Sequence, residues 1–303
     1  MISIPLVFIA YFLLLFFVVM FLYKARKIAA LPPHLRWELS PVPHEKGKGQ
    51  YGGSYLEEYE WWTKPREKSL VNEFVFMLKE IFLLKGVFEH NKKMWYFSFP
   101  FHIGLYLLAA MVVFMFVNAI LLRLGVIQVA SVFELLVYVF AAIGYAIGVI
   151  GVIGLIIRRL SDSNLKHFNT SGALFNLFFL LVLFASGGVA LITVPDFSGE
   201  MTRMAGAFIT ADTTAVLPGL LRLHIVISLL FLVYLPFTKM LHFLAKYFTY
   251  HEVRWNDVPM KGNGRMEKNI KNLLGQPVTW AAPHLNADGK KNWADIVNEE
   301  KKS

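Results

Sequence analysis

Five stretches of this chain run for about twenty residues or more with little or no charge, and no other feature restricts its fold as strongly. A segment needs about 20 apolar residues to cross the hydrocarbon core of a bilayer, where every backbone polar group must be satisfied inside the structure. The runs cover Ile4–Tyr23, Ser98–Leu122, Val129–Ile157, Ala173–Val194 and Leu221–Thr238. Composition agrees: 56% of residues are hydrophobic, 17% are charged, and the mean hydropathy is +0.51. The expected fold is an all-α membrane protein, a bundle of five transmembrane helices crossing the cell inner membrane several times. The first run has no basic segment before it and no small-residue cleavage site, and Lys24, Arg26 and Lys27 follow it directly, so it reads as a retained helix and not a signal peptide.

Basic residues set the expected orientation. Of the 30 Lys and Arg, 27 fall in segment 24–97, in connection 158–172 or in the tail from Lys239, whereas only Arg123, Arg203 and Arg222 lie in the two opposite connections. Positive charge stays inside, which puts the N-terminus outside and the C-terminus in the cytoplasm. Four parts follow: a first helix (1–23), a cytoplasmic arm (24–97), a four-helix membrane region (98–241) and a cytoplasmic extension (242–303). The arm is dense in Pro, Gly and Trp, as in Leu31-Pro-Pro-His-Leu-Arg-Trp37, Tyr51-Gly-Gly-Ser54 and Trp61-Trp-Thr-Lys-Pro65, and reads as an ordered lid or docking segment. It ends in Ser69–Lys85, where Leu70, Phe74, Met77, Leu78, Ile81 and Phe82 recur at helical spacing, an amphipathic helix at the lipid interface. The net charge of +9 follows from this topology and does not point to nucleic acid.

The chain has no Cys, which removes iron–sulfur ligation, disulfides, covalent haem attachment and thiol nucleophiles. Its nine His sort by depth. His34, His44, His90, His167, His251 and His284 fall in inner connections or the tail; His102, His224 and His242 lie within or at the ends of the second and fifth runs, where an ionisable side chain is costly and marks a functional site. On antiparallel spans His102 and His242 come to matching depth near the inner face, the arrangement of a bis-His b-type haem. His224 precedes His242 by 18 residues, about 27 Å and five full turns, so an unbroken helix aims both imidazoles into one interior at opposite membrane depths. That is the layout of a two-haem wire. Gly144, Gly148, Gly151 and Gly154 share one face of the third run and admit either a neighbouring helix or a flat macrocycle.

Phe101-His-Ile-Gly104, Thr170-Ser-Gly172, Arg222-Leu-His224 and Leu235-Pro-Phe-Thr-Lys-Met-Leu-His242 resemble, in order over roughly residues 95–250, the gamma subunit of respiratory nitrate reductase, a five-helix dihaem cytochrome b that oxidises menaquinol. Related cytochromes accompany heterodisulfide-reductase-like iron–sulfur subunits, and the Pro-Pro-His, Gly-Gly and Trp-Trp elements of the arm look more like those relatives. The resemblance implies a haem b held by His102 and His242, His224 as one ligand of a second, outer haem, menaquinone as substrate and a cytoplasmic iron–sulfur partner. The second outer ligand of the family falls at Val112, which cannot bind iron. Three roles for His224 stay open: ligation completed by a Met, with Met111 and Met115 on the second span and Met201 and Met204 in the outer loop as candidates; contact with a quinone; or packing. Arg222 is a candidate partner for a haem propionate, against snorkelling to the interface, and Glu134 a candidate on a proton path. The expected function is electron exchange between menaquinone and a soluble iron–sulfur subunit, as the quinone-reactive cytochrome b subunit of an oxidoreductase complex. The alternative is a membrane anchor without redox cofactor. A transporter has less support, because inverted repeats and broken helices with paired carboxylates are not evident.

Overall fold

A computed structural model describes residues 6–30, 59–60, 63–64, 69–166, 169–250, 264–282, 284 and 286–299. Most of the Pro- and Trp-rich arm, with His34 and His44, lies outside the described residues, as do His167 and His251. The architecture is all-α, with five helices among the described residues long and apolar enough to cross a membrane. These are α1 (Leu6–Ala29), α4 (Lys92–Arg123), α5 (Ile127–Ser161), α7 (Ser171–Thr193) and α9 (Gly219–Tyr234), the last continued by a 3-10 turn, Leu235–Phe237. Each coincides with one of the five apolar runs and extends past at least one of its edges. The extensions have local causes: Lys24, Arg26 and Lys27 ride on the C-terminal end of α1, where the helix dipole favours cations. α4 begins at Lys92 because the Asn91 side chain accepts a hydrogen bond from the Met94 amide at 3.1 Å.

The chain divides into two compact units, residues 1–20 with 75–238, and residues 21–74 with 239–303. In the first, α4 and α5 form an antiparallel hairpin across Leu124-Gly125-Val126, with Gly125 at φ 75° in the left-handed turn. The glycine face of α5 fits this partner closely. A Cβ added at Gly154 would lie 2.0 Å from the Phe97 ring, at Gly151 2.5 Å from the Phe101 amide nitrogen, and at Gly104 2.9 Å from the backbone of both Gly144 and Gly148. Gly148 also receives the Phe184 ring from α7. Helix packing, not a macrocycle, therefore occupies this face. Further packing of α5 on α7 and α7 on α9 continues the bundle, and a Tyr234 hydroxyl donating to Asn176 Oδ1 at 2.7 Å ties the last two.

Between α7 and α9 sequence reasoning expects a loop, yet the chain forms α8 (Phe197–Thr210). The Asp196 side chain caps it by accepting from the Gly199 amide, and Phe197, Met201, Thr202, Met204, Ala205 and Ala207 turn a buried face toward the bundle. The Asn118 amide of α4 donates to the Thr202 hydroxyl at 3.0 Å, a buried link between the two helices. α1 joins through Tyr11, whose hydroxyl donates to the Phe208 carbonyl. The amphipathic segment forms α2 (Leu70–Phe82), stopped by a left-handed Leu84 before α3 (Lys85–His90). Trp95 Nε1 donates to the Leu83 carbonyl at 2.7 Å and the Tyr106 hydroxyl to the Ile81 carbonyl at 3.0 Å, which fasten its end to α4.

The second unit contains α10 (His242–Tyr250), α11 (Arg265–Leu274), a two-stranded antiparallel sheet of β1 (Ala281–Ala282) and β2 (Ala287–Asp288), and α12 (Trp293–Asn298), which opens with a capping box between Asn292 and Asp295. Val278, Ala287 and Ile296 make a small core beneath the sheet. One short helix, α6 (Ser163–Lys166), lies in the connection after α5.

Candidate functional site

His102 owes its place to the α4–α5 seam. Phe97, Phe101, Gly104 and Leu108 follow i, i+4, i+7, i+11 against the α5 glycines, so His102 stands about 100° around the helix from that contact. It shares a face with Leu105, Ala109, Val112 and Phe116, all of which line a cavity of about 340 Å³ among α1, α4, α8 and α9. His102 Nδ1 lies 2.6 Å from the Ser98 carbonyl and 3.3 Å from the Ser98 hydroxyl. A carbonyl only accepts, so Nδ1 bears the proton and the lone pair is on Nε2, the neutral tautomer in which imidazole binds iron. The chemistry of this residue fits a haem ligand.

His242 opens α10 and belongs to the second unit. The shared-face argument linking it to His224 does not survive, because it needs one continuous α-helix. After Tyr234 the chain passes through a 3-10 turn at Leu235–Phe237, an extended Thr238 (φ −116°, ψ 166°) and a second 3-10 turn at Lys239–Leu241. Pro236, which lacks an amide proton, is the local cause of the break.

His224 lies deeper than expected. Its Nε2 is 2.9 Å from the Tyr145 hydroxyl, and Tyr145 is the nineteenth of 35 residues in α5, so the imidazole is level with the middle of that helix and not with an outer boundary. α8 precedes α9 and packs on α4 and α5. Tyr145 follows Gly144, which packs against Leu108; on α4 that level is six residues from His102, roughly 9 Å of rise where about 27 Å was expected. His224 is buried, and its Nδ1 is 3.0 Å from the Ser186 hydroxyl of α7. A Cβ at the neighbouring Gly187 would lie 2.2 Å from the Tyr145 ring and 2.8 Å from His224 Cε1.

Met111, Met115, Met201 and Met204 are all buried and line the same cavity, gathered from α4 and α8. Val112 lines it too and is 41% exposed. Arg222 is exposed at the start of α9, and Glu134 borders a separate polar hollow with Arg123, Thr202, Arg203 and Asp212. Sequence reasoning missed Tyr145 and Ser186. Both sit inside apolar runs, where one hydroxyl gives no periodic signal.

The five long apolar helices define a polytopic membrane protein, and two of them place a histidine inside the bundle. Residues 86–258, more than half of the chain, match the nitrate reductase gamma subunit family, and the chain belongs to it. It is a multi-pass inner-membrane protein and an electron-transfer subunit of the membrane cytochrome b kind, from a family whose members serve respiratory oxidoreductase complexes. Comparison with curated proteins and with solved structures gives no match.

Proposed function

We propose that this protein exchanges electrons between the menaquinone pool and a cytoplasmic iron–sulfur subunit of the heterodisulfide-reductase kind, through a haem b with His102 as one ligand and His242 as the second that the family resemblance implies. The observation that carries the proposal is the His102–Ser98 hydrogen bond, which fixes the ligand-competent tautomer on a helix inside the matched region. Bound haem supplies one-electron chemistry that no side chain of this Cys-free chain can supply. The residues do the rest: the glycine seam fixes the rotation of α4, and Ser98 orients His102. The excess of Lys and Arg on segments 24–97 and 239–303 supports an N-out, C-in orientation with the partner docked on the cytoplasmic face.

The test is a reduced-minus-oxidised spectrum of the purified protein, in the wild type and in His102→Ala and His242→Ala. Low-spin b-type bands in the wild type, lost in either variant while the protein still inserts, are the expected result. Bands that persist at full strength in both variants overturn the ligand assignment, and a wild type without bands makes the protein an anchor. An iron–sulfur subunit is expected to co-purify; a cytochrome isolated alone from a mild extraction counts against that partner.

A further inference from the structure

The level of His224 poses a question of valence. A neutral imidazole has one N–H and one lone pair, and an iron ligand must keep that lone pair for the metal. The Ser186 hydroxyl donates to the Leu183 carbonyl at 3.0 Å, so toward His224 its oxygen acts as acceptor, and His224 Nδ1 is the donor. The proton is then on Nδ1 and the lone pair on Nε2, where the Tyr145 hydroxyl takes it at 2.9 Å. The hydrogen bonds run in one consistent direction, from Tyr145 to His224 to Ser186 to the Leu183 carbonyl, and every capacity of the imidazole is used.

Three further observations point the same way. The ring is wedged against Gly187, where even a methyl group would collide with it. The position at which the family resemblance implies a second ligand holds Val112, which has no metal-binding atom. Of the four cavity methionines, each is a competent gap filler for an apolar wall, and none of them frees the histidine lone pair from Tyr145.

We infer that His224 is not a haem ligand in this chain: Tyr145, His224 and Ser186 form a hydrogen-bonded clamp joining α5, α9 and α7, and the protein carries a single haem. This departs from the dihaem layout that the family resemblance implies, and it rests on the proposed haem at His102 and His242. The relay ends on a backbone carbonyl that cannot pass a proton onward, so His224 is a positioning residue. Under the N-out, C-in orientation, electrons then enter and leave on the His102 side and do not cross the bilayer on two haems.

The experiment measures haem per chain, with a redox titration, in the wild type and in His224→Gln, and thermal stability in both and in Tyr145→Phe. Gln keeps one donor and one acceptor but gives iron no imidazole. One haem per chain, a single one-electron wave and unchanged haem content in His224→Gln are expected, with a lower melting temperature in Tyr145→Phe at full haem content. Two haems in the wild type overturn the inference whatever the variants do, and so does a variant that loses haem while the His102 signal persists. A wild type with no haem overturns instead the reading on which the inference rests.

Discussion

At Gly151 the distance from α5 to its neighbour is fixed by backbone, not by a side chain. A Cβ there would meet the Phe101 amide nitrogen at 2.5 Å and Cα at 2.7 Å, so Gly151→Ala has to push α4 away and is expected to cost about 1–3 kcal/mol as overpacking. Gly206 in α8 has nothing within 4 Å of the added methyl, and Gly206→Ala is expected to be neutral or to gain up to about 1 kcal/mol from lower backbone entropy. Thermal unfolding in detergent compares them; equal melting temperatures for the two variants would remove the seam as a determinant of stability. The glycine spacing was legible in the sequence, and His102 stood out there as an ionisable residue costly to place in an apolar run. Tyr145 and Ser186 were not. The Tyr145–His224 bond joins residues 79 apart in the chain, and a tyrosine in an apolar run reads the same whether its hydroxyl is engaged or snorkels.

Elements were legible in proportion to their length and contrast. The five spanning helices announce themselves by composition; α8 does not, since it has 14 residues interrupted by Gly199, Thr202, Arg203 and Gly206. The Asp196 cap and the burial of Phe197, Met201, Met204 and Ala205 at helical spacing were the signals to be found. The fifth span holds over Gly219–Phe237, but its continuation as one α-helix to His242 does not, because the backbone leaves α-helical geometry at Leu235 while the hydropathy runs on. In the C-terminal unit a smaller element makes a pH prediction. The Asp288 carboxylate accepts from the Lys290 and Lys291 amides at 2.9 Å, and these bonds hold its pKa below the usual 3.8. A carboxyl with a depressed folded pKa stabilises the fold above its unfolded pKa and loses that contribution as pH falls through the folded value. The β2 turn is therefore expected to hold at neutral pH and to loosen below about pH 4, and Asp288→Asn to loosen it at pH 7. Hydrogen exchange of the Val278 amide, which donates to the Lys291 carbonyl at 2.8 Å, reports the change; protection unaffected by either acid or substitution would show that the turn does not depend on this carboxylate.

For the whole molecule, an all-α membrane protein with five spans follows from apolar run lengths alone, because the bilayer leaves the backbone few alternatives. The fold of the C-terminal unit does not follow. Its core of Val278, Ala287 and Ile296 is too small to leave a pattern in a Lys- and Asn-rich stretch. The three-residue turn at Leu124-Gly125-Val126 bears on something besides the finished fold, namely the order in which the chain is made. Its two arms meet backbone to backbone at Gly104, Gly144 and Gly148, and Phe184 of α7 packs onto Gly148 beside them. A ribosome that has finished α5 has thus already delivered the most closely fitted pair in the bundle, and the hypothesis is that the translocon releases the two together, with α7 and α9 assembling on them afterwards. Arrested nascent chains ending before Ser171 are expected to crosslink α4 to α5. Crosslinks that form only once α9 has been synthesised would place the pairing late.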